Sequence, residues 1–430
     1  MLQIGSNNCV NKYRPRIIDD LIKEKLELFP AVLIEGPKWC GKTRTGIEFS
    51  KSQLFMQNSD SIRSNLKLAD TKPSLLLDGK TPRLIDEWQI APVIWDAVRF
   101  VSDMRGLPGQ FILTGSATPK DGETRHTGTG RISRILMRPM SLYESGESSG
   151  VISIADLFND TKKSIEAKSS LTIQDLAHCI VRGGWPSSLS IAKEKSVSVS
   201  RDYIDAVIEH DVSESDGIKK SPVKVRGLLK SYARNIGTMA SIETITADIR
   251  ADEESLSSKT VSGYIETLKR IFVIEDLMSW SPSIRSKTTL RTTPKRLFVD
   301  PSLATAVNRM TSASILQDFE YFGFLFESLV IRDLRIYANA NDGNVFHYRD
   351  KNGLEVDAVI HLNDGRWGAV EVKLGSSEIE TACKHLLEFR NRVNTNKMKE
   401  PSFLAVVTGT EYGFKRDDGI LIIPIGCLKQ

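Results

Sequence analysis

Short, wholly apolar runs punctuate the first 140 residues. Ala31 to Ile34 (AVLI), the run ending in "LIDE" at Asp86 and Glu87, and Phe111 to Leu113 (FIL) are each flanked by Gly, Pro or charged residues. This pattern predicts strands of a parallel sheet, buried on both faces, with helical stretches between them. Further on the period changes. Ile173 to Val181 predicts a helix stopped by Gly183 and Gly184, with Pro186 beyond. Between Val223 and Asp300 the order is helix (KVRGLLKSYARNIG), short helix (SIETITADIR), longer helix (SSKTVSGYIETLKRIF) and two strand-like runs (VIEDLMSW and RLFVD) around a basic loop, RSKTTLRTTPKR. Near Gln317 a further helix begins, DFEYFGFLFESLVIRDLRIYAN, with Phe322, Phe326, Leu329, Val330 and Ile331 on its apolar side. Last, GLEVDAVIHL and WGAVEVKLG alternate with period two on either side of the turn Asn363 to Arg366, and predict adjacent strands.

Composition narrows the classes. A chain of 430 residues exceeds a single core and predicts several domains. From about Gly146 to Ser170 the residues shift to Ser, Glu, Asp and Lys, as in a linker. The 58 basic and 54 acidic residues leave a formal charge of only +4, so a nucleic-acid contact has to come from a local patch. Five cysteines (Cys9, Cys40, Cys179, Cys383, Cys427), odd in number and without a C-x-x-C pair, argue against a disulfide framework or a zinc site. No apolar run reaches the roughly 18 residues of a membrane helix and no leader pattern opens the sequence. The expectation is a soluble cytoplasmic protein without membrane contact.

Two constellations carry chemistry. The first is G-x-x-x-x-G-K-T: Gly36, Pro37, Lys38, Trp39, Cys40, Gly41, Lys42 and Thr43, placed between a strand and a helix. Glycines there let backbone N–H groups cradle phosphates at a helix N-terminus, with Lys42 on the β- and γ-phosphates and the Thr43 hydroxyl on Mg²⁺. The expected ligands are ATP and Mg²⁺. Asp86 at the end of its strand is expected to hold the metal through water, and Glu87 to polarise the attacking water. Thr114 and Ser116, delivered at the C-terminal end of FILTGS, can sense the γ-phosphate, although a turn serving only chain reversal fits the same residues. Arg131, Arg134 and Arg138 are candidate arginine fingers, and Arg131 is counted with the nucleotide contacts.

The second constellation lies in the C-terminal strands. Alternation places Glu355 and Asp357 on one face of the first strand, with Val356, Ala358 and Ile360 opposite, and places Glu371 beside Lys373 on the next. Glu327 sits among the apolar residues of the preceding helix, where a carboxylate is costly without a partner; a metal ion or Lys373 is expected to supply one. The order Glu327, Asp357, Glu371-x-Lys373 over helix, strand and strand matches the PD-(D/E)XK nuclease pattern, apart from Val356 where that pattern has Pro. Asp357 and Glu371 offer hard oxygen ligands for Mg²⁺, and Lys373 can orient the attacking water or stabilise developing charge. His385 and Glu388 follow on the next helix. An ion pair capping a half-exposed sheet is the alternative for Glu371 and Lys373.

Together, Gly36 to Thr43, RLIDEWQIAPVIWDAVR, FILTGSATP, GR followed by RPMSLYE, GGWPSSL, RLFVDPSLA, GFLFESLV and the EVD and EVK strands resemble the predicted bacterial and archaeal AAA-type ATPases that end in a domain of unknown function. The resemblance implies ATP binding and hydrolysis but supplies no substrate. The resulting fold class is α/β: a P-loop AAA-type domain with a parallel sheet (1–145), a linker and helical region (146–222), a winged-helix-like unit (223–305) and a C-terminal restriction-endonuclease-like α/β domain (306–430). In the winged-helix reading Ser258, Lys259 and Thr260 start the recognition helix, and the basic loop adds a patch for DNA or RNA. The competing reading is a non-cutting, ATP-dependent switch that binds a protein or nucleic-acid partner. A small-molecule kinase shares the P-loop but leaves Glu371 and Lys373 unexplained.

Overall fold

The computed structural model describes residues 13–118, 127–159, 165–216, 220–250, 257–282, 293–393 and 398–430. In the N-terminal part β1 (Ala31–Glu35), β2 (Ser52–Phe55), β3 (Arg83–Asp86), β4 (Phe111–Gly115) and β5 (Ile132–Leu136) form a parallel sheet in the order β2-β3-β4-β1-β5. Each central strand feeds both faces. Ala31 and Leu33 join Trp88, Trp95 and Leu113 in one core, while Val32 and Ile34 join Leu84, Ile112 and Ile135 in the other. That two-sided burial explains the short uninterrupted apolar runs.

The second sheet has seven strands, in the order Glu166–Lys168, Tyr412–Lys415, Leu421–Pro424, Phe403–Thr408, Trp367–Lys373, Glu355–Leu362 and Gly343–Arg349. Its centre is β8 (Gly343–Arg349), β9 (Glu355–Leu362), β10 (Trp367–Lys373) and β11 (Phe403–Thr408), with β12 (Tyr412–Lys415) and β13 (Leu421–Pro424) beyond. The helix Phe319–Ala340 precedes β8, and the helix Ile379–Arg392 lies between β10 and β11. Val370, Val372 and Ala405 pack on the side of the first helix, and Trp367, Ala369 and Val406 on the side of the second.

The stretch expected to be a linker pairs with C-terminal strands. β7 (Glu166–Lys168) extends this sheet beside β12, and β6 (Ile152–Ser153) forms a separate two-stranded sheet with β14 (Leu428–Lys429). Ile152, Ile154, Leu157 and Phe158, scattered among polar residues, are buried in the core that the middle helices share with the C-terminal sheet. The middle region supplies helices Ile173–Arg182, Pro222–Arg234, Ile242–Arg250 and Ser258–Arg270. After the last of these, isolated bridges join Ile274 to Phe298 and Leu277 to Lys295, and another joins Ser279 to His347 on β8. The strand-like run after the third helix therefore reaches the edge of the C-terminal sheet. Most of the basic loop, residues 283–292, lies outside the described residues. Among the described residues no helix is long and apolar enough to cross a membrane.

An ion-pair node ties the parts together. Glu275 faces Arg138, just beyond β5, at 2.6 Å and Arg335, on the helix before β8, at 3.6 Å. Burial alone would raise the Glu275 carboxyl, but Arg138 and Arg335 outweigh it and hold the group down at about 2. Since the folded value lies below the ordinary 4.5, the stabilisation is complete above that pH and is lost as pH falls from there towards 2. Glu275→Gln is therefore expected to flatten the dependence of the thermal midpoint on pH in that window; an unchanged acid limb would remove the node from the account.

Candidate functional site

Gly36 leaves β1 with φ +153°, where a Cβ would collide with the Met137 carbonyl, and Gly41 caps the helix Lys42–Phe49 with φ +107°. Glycine is required at these two turns. Lys42 is buried and its Nζ donates to the carbonyls of Gly36 (2.9 Å) and Pro37 (2.7 Å). Pro37 and Cys40 are buried beneath the loop, with the Cys40 thiol donating to the Met137 carbonyl at 3.4 Å. Lys38 points outward and pairs with Asp211 at 2.7 Å, on the π-helical turn Val207–Asp211. Trp39, half exposed, meets Tyr203 edge-on at 5.7 Å.

The ends of β3 and β4 complete this centre. Asp86 is fully buried; its Oδ1 accepts from Thr43 Oγ1 (2.8 Å) and Thr114 Oγ1 (2.6 Å), and its Oδ2 from Gln57 Nε2 (2.6 Å). Glu87 adopts the left-handed region, φ 55°. Its backbone N–H donates to Thr114 Oγ1 at 3.2 Å, and its carboxylate accepts from Ser116 Oγ at 3.0 Å and from Gln89. A cavity of about 750 Å³ opens over these groups, lined by Lys42, Thr43, Glu87, Gln89, Ser116 and, from the middle region, Asp211 and Ile271. A second cavity of about 700 Å³ lies past Gly41 and Arg44, walled by Tyr13, Arg16 and Pro186.

Arg131 is not brought to this centre within the chain. It precedes β5, whose first residue is level with Ala31, so it sits at the N-terminal end of the strands, opposite the end that bears the P-loop, and pairs with Asp103 at 2.8 Å. Arg134 pairs with Glu35 at 3.5 Å, and Arg138 is held by Glu275. Arg16 escaped the sequence reading. It is buried, donates to the carbonyls of Cys40 and Arg138 at 2.8 Å each, and pairs with Glu144 at 2.9 Å, so it pins the P-loop to the strand end beside it. The cluster of basic residues in "YRPR" was the available signal.

The C-terminal constellation is also assembled. The β9–β10 pairing of Val370 with Ala358 and Ala369 with Val359, continued one step, sets Glu371 opposite Asp357. There the ladder gives way, and Asp357 Oδ2 accepts from the Val372 N–H at 2.9 Å. Between β8 and β9 the register shifts from Phe346 opposite Val359 to Tyr348 opposite Val356, so Asp357 and Ala358 together face His347. This bulge corrects the strict alternation expected for β9: Val356 and Val359 lie in one core, Ala358 and Ile360 in the other. Bulges re-aim side chains in this way. Lys373 lies 3.2 Å from Glu371 and 3.9 Å from Asp357. A cleft of about 450 Å³ is lined by Asp357, Glu371 and Lys373, with His385 and Glu388 on its wall.

The side chain paired with Glu327 is not Lys373. It is Lys295, at the end of the basic loop, whose Nζ lies 2.6 Å from Glu327 Oε1 and 3.1 Å from Asp357 Oδ1. Burial pushes the Glu327 carboxyl up, to about 7, against the pull of Lys295. Burial and the Asp357 carboxylate push Glu371 well up. Burial disfavours the Lys295 ammonium, but the carboxylates of Glu327 and Asp357 more than restore it. Three carboxylates are thus spent on two ammonium groups. Among the described residues no group of three or more His, Cys, Asp or Glu side chains is arranged to hold a metal. With Lys295 in place the C-terminal residues do not fit a divalent ion. At the P-loop the fit is different, because Thr43 and Asp86 converge beside the phosphate cradle.

The class follows from the first centre: a parallel sheet delivering a P-loop, a strand-end Asp-Glu pair and polar residues of the neighbouring strand. Residues 28–146 match the family model of an AAA domain, and this part of the chain is an AAA-type, ATP-binding P-loop domain. Residues 173–314 and 322–428 match two domains of unknown function, DUF8612 and DUF4143. The chain as a whole is similar to the uncharacterized protein Rv2008c of Mycobacterium tuberculosis, 21% identical over 407 residues, covering 94% of this chain and 82% of that one. The uncharacterized protein Mb2031c of Mycobacterium bovis matches equally. Among solved structures, the Walker-type ATPase PABY2304 of Pyrococcus abyssi is 14% identical with a TM-score of 0.41, over 67% of this chain and 94% of that one. One chain of Drosophila ORC bound to DNA is 12% identical with a TM-score of 0.22, over 68% and 92%.

Proposed function

We propose that the chain is an ATP-hydrolysing AAA-type machine coupled to a nuclease-like C-terminal domain that acts on nucleic acid. The observation that carries the ATP-hydrolysing part is the placing of Glu87, fixed by Ser116 and Gln89, in the cavity beyond the Thr43–Asp86 pair. In this reading the loop amides and Lys42 would hold the phosphates, and Thr43 and Asp86 would hold Mg²⁺, which would supply charge neutralisation for phosphoryl transfer. Glu87 orients water on the γ-phosphate, with Thr114 fixing its backbone and Ser116 its carboxylate. The cavity past Arg44 receives the nucleoside.

The order of helix, three antiparallel strands, helix and parallel strand around Asp357, Glu371 and Lys373 supports the nuclease-like reading of residues 306–430. Three helices and a bridged pair of runs, with Lys259 and Thr260 exposed at the start of the third helix, support a winged-helix-like unit over 223–305. The second reading, a switch that binds a partner without cutting, is favoured by Lys295 between Glu327 and Asp357.

The test is incubation of single- and double-stranded DNA and RNA with Mg²⁺ or Mn²⁺, with and without ATP, comparing wild type and Lys373→Ala. Nucleic-acid cleavage abolished in Lys373→Ala is expected. Salt-dependent binding without cleavage would leave the switch.

A further inference from the structure

One of the two lysines in the C-terminal site comes from the middle region. Lys295 is fixed by two backbone hydrogen bonds to Leu277, 2.9 Å each, and the run containing Leu277 docks on β8 through Trp280 N–H to the His347 carbonyl (2.6 Å) and His347 N–H to the Met278 carbonyl (2.9 Å). Its side chain is delivered, only 3% exposed, between Glu327 and Asp357. A Mg²⁺ or Mn²⁺ ion binds carboxylate oxygens at about 2.1 Å. An ammonium nitrogen 2.6 to 3.1 Å from two of those oxygens fills the space such an ion would take. Two unshielded cations cannot share it.

We propose that Lys295 is a tethered cation occupying the metal position of the C-terminal acidic site, so that a divalent ion enters only when the segment carrying Lys295 withdraws. The proposal rests on the nuclease-like reading of that site. The segment has a lever. Its pairing partner begins at Ile271 on the wall of the nucleotide cavity, the Thr118 N–H beyond β4 donates to the Arg270 carbonyl at 3.1 Å, and Glu275 is gripped by Arg138. Any movement of the strand ends around ATP is passed to the run that holds Lys295.

The test is Mn²⁺ binding to the nucleotide-free full chain, followed by the electron paramagnetic resonance signal of the free ion. K295M is expected to bind Mn²⁺ about ten- to a hundredfold more tightly than wild type, and a further D357N change should remove the gain. K295M/E327Q, which deletes a charge of each sign, serves if K295M does not fold. Folded lysine variants binding no more Mn²⁺ than wild type would overturn the proposal and leave a structural ion pair. D357N alone should bind the same Mn²⁺ as wild type; a loss would show that the site takes metal with Lys295 in place, and would overturn it equally. A gain of Mn²⁺ in K295M without nucleic-acid cleavage keeps the latch and ends the cutting reading. Cleavage by wild type with no gain in K295M does the reverse.

Discussion

Lys42→Ala is expected to lower ATP turnover by about 10²- to 10³-fold, the loss typical of removing one preorganised charge stabiliser. The side chain is buried under its own loop and bonded to two of its carbonyls, so its ammonium is already desolvated and costs little to redirect towards phosphate. Alanine leaves the phosphate charge facing only backbone dipoles and the metal. The measurement is steady-state phosphate release with a parallel binding titration of a fluorescent ATP analogue. Wild-type turnover in this variant would sink the assignment of Lys42, and with it the P-loop engine.

The largest stability effect is expected from Arg332→Ala, at about 3–5 kcal/mol. Arg332 donates to Asp300 at 2.8 Å and to Asp333 at 2.9 Å, and all three are almost completely buried. The two carboxylates also serve the backbone: Asp300 accepts from the Gly184 N–H at 3.0 Å, and Asp333 from the Leu142 N–H at 2.9 Å. One guanidinium therefore stabilises contacts to the end of the N-terminal domain, the Gly183–Gly184 turn and the long helix. Alanine would strand two buried negative charges. Urea unfolding followed by tryptophan fluorescence should show the drop, and adding D300N and D333N should recover part of it. A midpoint that stays put would mean that the carboxylates find other partners.

Much of both centres could be read in advance because their members are close in sequence or set by a short period. Gly36 to Thr43 is contiguous, and the alternation of WGAVEVK alone puts Glu371 beside Lys373. What escaped is non-local. Lys295 meets Asp357 across 62 residues and looked like the tail of a solvated loop, although its spacing with Leu297 and Val299, both buried, hinted at an inward side chain. The bulge at Asp357 depends on a partner strand that the sequence of β9 does not specify. β6 and β7, two and three residues long, are too short to show any period; β7 forms because an existing sheet offers it an edge, and β6 because the distant β14 pairs with it.

The pairing of β6 with β14 bears on how the protein is made. Ser148 donates to the Leu428 carbonyl across 280 residues of chain. At ~5–20 residues per second, the segment that becomes β6 waits roughly 14 to 56 s for its partner to leave the ribosome. During that interval Ile154, Leu157 and Phe158 have only the middle helices' share of their core to enter, while the P-loop domain ahead of them can already be complete. Nascent chains should therefore be vulnerable between the two sheets, and a holding chaperone or protease would find its target there rather than in either finished domain.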